Sequence, residues 1–199
     1  VKVEATRLQM LLCNFHLRTA LRVLLPLKSF HISSVNDFYK EIYSINWDDW
    51  FSSDESIYID VTGASPVFQN TFFAAQKAKD AIVDRFRAIE GRRPNVDKEN
   101  PDIRIDIHLH GETIEVNMDS SGHSLNRRGY RICAAKAPIN EVLAAGIIRL
   151  SGWHGQMPLY DPMCGSGTFA IEAAMLAENI PAGFYRRDYS FMHWRDFDN

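Results

Sequence analysis

One stretch constrains this chain more than any other: Leu159-Tyr160-Asp161-Pro162-Met163-Cys164-Gly165-Ser166-Gly167-Thr168, running on into Phe169-Ala170-Ile171-Glu172-Ala173-Ala174-Met175. It predicts a short buried strand, a tight turn, and a helix whose first turn carries Thr168 and Phe169. Gly165 and Gly167 permit positive φ and let a ligand approach the main chain where a Cβ would collide. The helix beyond aims N–H groups without intrahelical partners at whatever lies over the turn. Asp161, at the carboxyl end of the strand, stands where open α/β sheets bind their ligands. A dinucleotide fingerprint would need a third glycine and a phosphate loop a Gly-Lys-Ser/Thr, and neither is present. A shorter turn led by an acid suits a ligand with an amino-acid end better than a pyrophosphate.

The 199 residues give room for one large or two small domains with a proper core. A net charge of −3 supplies no global basic field, so any surface for nucleic acid must be local. Cys13, Cys133 and Cys164 are far apart and form no C-x-x-C pair, which excludes a disulfide framework or zinc site and suits a reducing, cytoplasmic setting. Apolar runs such as Leu24-Leu25-Pro26-Leu27 are too short to span a bilayer, and no signal-peptide pattern opens the chain. A first residue of Val1 and a run still in progress at Asn199 give both ends the look of cuts through a longer protein.

Upstream of the turn, Leu8, Leu11, Leu12 and Phe15 have helical spacing, and Leu17 to Leu25 reads as a strand with Arg18 and Arg22 on one face. Ser34 or Asn36 caps a helix through Phe38, Tyr39, Ile42 and Ile45. Trp47 and Trp50 lie in an acidic segment and read as packing residues rather than platforms for bases. Ile57 to Thr62 forms a strand, and Thr71 caps the longest helix, through Phe72, Ala78, Ile82 and Phe86 to Gly91. The other face of that helix carries Lys77, Lys79, Arg85 and Arg87 beside Asp80 and Asp84, a solvated ion-pair face or a phosphate-facing one. Asp102 to His110 alternates as a strand with Arg104, Asp106, His108 and His110 outward, and Gly111-Glu112 turns it into a return strand bearing Ile114, Val116 and Met118. His108 and His110 lack a further ligand cluster, so no metal site is assigned. After the Ser120-Ser121-Gly122 linker comes the densest basic stretch, where Arg127, Arg128, Tyr130 and Arg131 suit phosphate contact and base stacking. Pro138 then opens a helix through Ile139, Val142, Leu143, Ile147 and Leu150, stopped by Gly152.

The string Asp161 to Thr168 resembles motif I of the class I S-adenosylmethionine-dependent methyltransferases. With Ile171-Glu172-Ala173-Ala174 it resembles, more narrowly, the bacterial RNA guanine-N2 methyltransferases that carry a THUMP domain, a family also labelled N6-adenine-specific DNA methylases. Ala137-Pro138-Ile139-Asn140-Glu141 resembles the family's motif X helix, whose N-terminus abuts the bound cofactor. Gln69 to Ile82 resembles the THUMP domain, and His123 to Arg131 resembles the start of the methyltransferase domain. The resemblance implies an α+β THUMP/ferredoxin-like region followed by the start of an α/β Rossmann-like methyltransferase domain. It divides the chain into 1–33, a remnant of an N-terminal ferredoxin-like domain; 34–119, the THUMP RNA-binding domain; and 120–199, the incomplete N-terminal part of the methyltransferase domain.

The same resemblance implies S-adenosylmethionine at Asp161, Pro162, Met163, Cys164, Gly165, Ser166, Gly167 and Thr168, with Ala137, Pro138 and Ile139. It implies RNA, ribosomal or transfer, at Lys77, Arg127, Arg128, Tyr130 and Arg131, with no membrane and no metal as partner. The implied activity forms N2-methylguanine in 23S ribosomal RNA; the alternatives are N6-adenine methylation and RNA binding without catalysis. The family holds its acceptor amine with an Asn/Asp-Pro-Pro-Tyr/Phe loop. No Pro-Pro dipeptide occurs in the 199 residues, so no catalytic residue is assigned and this stretch alone is expected to be inactive. Cys164 has no base paired with it and reads as packing rather than as a nucleophile.

Overall fold

The computed structural model describes residues 1–131, 138–195 and 197, and the chain divides into two compact units: Leu24–Gly122 with Tyr189–Asn199, and Val1–Val23 with His123–Asp188. The first unit is built on a four-stranded sheet of order β1-β4-β3-β2, with β1 Leu24–His31, β2 Ile57–Ala64, β3 Ile103–His110 and β4 Thr113–Asp119. β3 and β4 form the expected antiparallel hairpin, and β1 pairs antiparallel with β4. β2 and β3 run parallel and therefore need a crossover, which the twenty-residue helix α3 (Thr71–Glu90) supplies. Gly63 closes the pairing at φ +85°, and a Cβ built there would lie 2.1 Å from the Leu109 carbonyl oxygen.

Alternation puts Ile103, Ile105, Ile107, Leu109, Ile114, Val116 and Met118 on the buried face. Ala74, Ala78, Ala81, Ile82 and Phe86 of α3 are buried with them, as are Phe38 and Ile42 of α2 (Val35–Tyr43). Asn70 rather than Thr71 caps α3, its Oδ1 accepting from the Phe73 N–H at 2.8 Å, and Gly91 ends the helix at φ 68°. Trp47 is fully buried and donates its indole N–H to the Ile42 carbonyl at 2.9 Å, the packing role its acidic surroundings suggested.

Two expectations fail in this unit. The strand expected over Leu17–Leu25 runs instead from Leu24 to His31, as a strand of this sheet. Register against β4 decides this, from Leu24 opposite Asp119 to His31 opposite Thr113, and the edge position with a bulge between Pro26 and Lys28 tolerates the proline. Arg104, expected outward, is buried: its guanidinium lies 4.9 Å from the Tyr58 ring centroid, and Ser190 Oγ accepts from its backbone N–H at 3.4 Å. A 3-10 turn at Ser190–His193, more than eighty residues downstream, covers that end of the sheet. His108 and His110 are exposed as expected, and among the described residues no group of His, Cys, Asp or Glu could hold a metal. No helix of the described residues is long and apolar enough to cross a membrane.

The second unit holds α1 (Arg7–His16), α4 (Glu141–Leu150) and α5 (Thr168–Ala177). Thr6 and Gln9 form a reciprocal capping box at the start of α1. Asn140, two residues after Pro138, caps α4 by accepting from the Val142 and Leu143 N–H groups. α5 begins at Thr168 as expected, but Leu159 and Tyr160 belong to no strand, and Tyr160 is 91% exposed. A parallel strand is held by neighbours on both edges, and among the described residues of this unit there is no other strand to pair with it. Arg18 lies on no strand face either. It is buried, and its guanidinium donates to the carbonyls of Met175, at 3.0 Å, and Ile180, which closes the C-terminal end of α5.

Candidate functional site

The glycine turn has the local geometry its sequence demands. Asp161 Oδ1 accepts from the Met163 N–H at 3.1 Å, and the Cys164 carbonyl accepts from the Gly167 N–H at 2.7 Å. Gly165 and Gly167 take φ of 52° and 75°, so both need glycine for the backbone itself. Gly167 is the N-cap of α5 and offers no side chain to the N–H groups of the first turn. A Cβ on Gly167 would meet nothing within 4 Å, and one on Gly165 only the Met163 carbonyl oxygen at 3.9 Å, so the space above the turn is open. Asp161 Oδ2 is buried and has no hydrogen-bond partner. A buried carboxylate oxygen without a donor is costly, and a ligand bearing an ammonium would satisfy it. Pro162, Met163 and Ser166 are exposed around the turn, and Cys164 is an exposed free thiol rather than a packed one.

A cavity of about 460 Å³ lies between the 126–131 stretch and Pro138, Ile139, Asn140 and Glu141. Arg131 ties this cavity to the turn. Its Nε donates to Glu141 Oε1 at 2.5 Å, its Nη1 to Ser166 Oγ at 3.2 Å, and its Nη2 to Thr168 Oγ1 at 2.8 Å. One guanidinium thus bonds Glu141, which lines the cavity with Pro138 and Ile139, and Ser166 and Thr168 of the 161–168 turn. Ala137 lies outside the described residues.

The basic run that looked like a single RNA-facing patch is taken apart by burial. Arg128 is 3% exposed; its Nε donates to Glu172 Oε1 at 3.3 Å, and its Nη groups donate to the carbonyls of Leu125 at 2.9 Å, Arg18 at 2.6 Å and Leu17 at 3.4 Å. No face of that guanidinium remains for a phosphate. Tyr130 donates its hydroxyl to the same Glu172 oxygen at 3.3 Å, and burial together with the Glu172 charge holds its pKa well above the ordinary phenol value. Arg127 is exposed, 3.4 Å from His123 Nδ1. Glu172 is buried on α5 with Thr168 and Met175, on one face at i, i+4, i+7 spacing.

In the other unit Lys77 stands 5.7 Å from the Phe73 ring centroid and borders a cavity of about 530 Å³ with Lys79, Arg87 and Arg93. Asp80 and Asp84 line the same cavity, and Asp84 Oδ2 accepts from the Tyr39 hydroxyl at 2.7 Å. Burial and this carboxylate push the Tyr39 pKa up to about 12. Arg85, from the same helix face, is spent internally on Asp48, Asn46 and the Tyr43 carbonyl. Arg93 joins Lys77 through the turn beyond Gly91, which helical spacing could not show.

The THUMP domain family model matches residues 33–119, and that described as "RMKL-like, methyltransferase domain" matches residues 128–196. The ribosomal RNA large subunit methyltransferase K/L of Marinomonas sp. (strain MWYL1) is 42% identical over 185 residues, covering 92% of this chain and 26% of the relative. Among solved structures, a possible methylase from Clostridium difficile 630 superposes with a TM-score of 0.82 at 30% identity, covering 100% of this chain and 54% of that one. SMU.472, crystallised in complex with SAH, gives a TM-score of 0.74 at 33% identity, with 93% of this chain and 49% of that chain covered. The chain spans about half the length, or less, of the curated relatives it matches.

Proposed function

This chain belongs to the family that joins a THUMP domain to an RMKL-like methyltransferase domain, and on that premise we propose that its protein transfers a methyl group from S-adenosylmethionine to RNA in the cytoplasm. The proposed acceptor is the N2 amine of a guanine, as the motif resemblance implies, and the proposed substrate is large-subunit ribosomal RNA, by likeness to the K/L methyltransferase. The observation that carries the reading is the open glycine turn with the partnerless, buried Asp161 Oδ2 beneath it. That carboxylate oxygen and the N–H groups opening α5 offer an acceptor and donors to an amino-acid end, which fits the donor's methionine moiety.

S-adenosylmethionine supplies a methyl group already activated on a sulfonium, so the protein's task is to position the reactants and exclude water. Residues 161–168 would hold the amino-acid end, with Pro138 and Ile139 at the neighbouring cavity. Lys77, with Arg93 at the same cavity, and the exposed Arg127 are the cations proposed to meet phosphates. Arg128 and Tyr130 serve instead to hold α5. The family's acceptor loop has no counterpart in these 199 residues, so the stretch alone is proposed to be without transferase activity.

The test is nucleoside analysis of 23S ribosomal RNA after reaction with the full-length protein and methyl-labelled donor. N2-methylguanine is the expected product. N6-methyladenine as the sole product moves the assignment to adenine, and binding of RNA without transfer leaves only a nucleic-acid adaptor.

A further inference from the structure

We propose that Arg131 is a positioning residue of the donor site rather than an RNA contact: it tethers the glycine turn to the start of α4 and so sets the shape that receives the donor's amino-acid end. This rests on the donor reading above. The turn cannot fix itself by packing, because its side chains from Pro162 to Ser166 are exposed and a Cβ on either glycine would meet almost nothing. Its two glycines also leave the local backbone more freedom than other residues would. What holds it from outside is Arg131, which spends three of its five N–H donors on Glu141, Ser166 and Thr168.

The partners are chosen in a way that a solvated basic run would not produce. Thr168, 1% exposed, is the first residue of α5, and Glu141, 6% exposed, is the first residue of α4. A cation beside a helix N-terminus is disfavoured by the helix dipole, whereas a carboxylate there is favoured. Glu141 therefore compensates Arg131, and the planar fork fixes the spacing between the two helix starts in a way that an ammonium on a flexible stem cannot. A guanidinium so engaged is poorly placed to follow an RNA backbone. It is well placed to govern a ligand lying between α4 and α5.

The experiment titrates S-adenosylhomocysteine and 5′-methylthioadenosine, which lacks the amino-acid end, into the full-length protein by calorimetry. It compares wild type, Arg131→Ala and Arg131→Lys, and measures RNA affinity against salt for each. Arg131→Ala is expected to weaken S-adenosylhomocysteine at least tenfold and methylthioadenosine less than threefold, with the RNA salt slope unchanged. Arg131→Lys, which keeps charge and approximate volume and guards against a folding defect, is expected to recover only part of the loss. S-adenosylhomocysteine affinity within twofold of wild type in Arg131→Lys, equal losses for both ligands, or a shallower RNA salt slope would overturn the proposal. A wild-type protein that binds neither ligand would instead overturn the donor reading itself.

Discussion

Replacing Arg128 with alanine removes a guanidinium hydrogen-bonded to a carboxylate that is itself shut away from water. The side chains of Arg128 and Glu172 are 2% and 0% exposed. Without the guanidinium, Glu172 keeps the Tyr130 hydroxyl at 3.3 Å, and the Leu17, Arg18 and Leu125 carbonyls lose a donor. Breaking one side of a buried ion pair costs about 3–5 kcal/mol, a large fraction of the roughly 5–15 kcal/mol that holds a whole domain together. At about 1.4 kcal/mol per factor of ten, amides of α5 should exchange with solvent on the order of a hundred to several thousand times faster. Native-state hydrogen exchange on the full-length protein, read over Thr168–Ala177, measures this directly. Removing both charges, as Arg128→Met with Glu172→Leu, should recover part of the loss but not all of it, because the buried Arg18 then loses the charge of Glu172. Exchange within threefold of wild type in Arg128→Ala, accompanied by weaker RNA binding, would refute this reasoning and restore Arg128 to the phosphate-contact role that its sequence neighbourhood suggested.

Gly63→Ala should destabilise the THUMP unit by about 2–5 kcal/mol, since the new Cβ combines an unfavourable positive φ with a collision at the Leu109 carbonyl. Gly111→Ala, also at positive φ but with nothing within 4 Å of its Cβ, should cost only about 1–2 kcal/mol; equal melting-temperature losses would contradict the close-approach argument. Lys77→Ala combined with Arg93→Ala should make the RNA salt slope less steep by about 0.7–0.9 for each phosphate no longer neutralised, and an unchanged slope would remove both residues from the interface. Burial pushes the Asp48 carboxyl up, but hydrogen bonds and charge from Arg85 outweigh it and leave its pKa below the ordinary value. A carboxylate lowered on folding stabilises fully above its unfolded pKa of about 4, and that contribution is lost as pH falls through the lower folded value. Thermal melts below about pH 4 should therefore show a smaller acid-induced loss in Asp48→Asn than in wild type.

The elements legible in the sequence were those whose information is local. The alternation of Ile103 to Leu109, the Gly111 turn and the stop at Gly91 each fix a piece of backbone within a few residues, and the structure follows them. The backbone of the turn from Asp161 to Thr168 was legible for the same reason, because two glycines and a helix start define its local conformation; its tie to the start of α4 through Arg131 was not. What could not be read was set by distant partners. Strand β1 starts at Leu24 because β4, about ninety residues on, offers a register, and Arg104 is buried because Ser190 returns over it. The basic run misled most. Arg127, Arg128 and Arg131 look alike in sequence, yet the first is exposed, the second is buried against Glu172, and the third bridges Glu141 to the glycine turn. Charge along a chain shows that a partner exists; only the fold shows whether that partner is solvent, a carboxylate or a ligand.

In the proposed function the open corner over Gly165 and Gly167 receives the methionine end of the methyl donor. Calorimetric titration of S-adenosylmethionine into the full-length protein, its Gly167→Val variant and its Gly165→Val variant measures this binding. Saturable binding to wild type and at least a tenfold loss in each variant are expected, because a branched side chain strains the positive φ of either glycine and its methyl groups enter the open space above the turn. Equal affinity for all three proteins would contradict it.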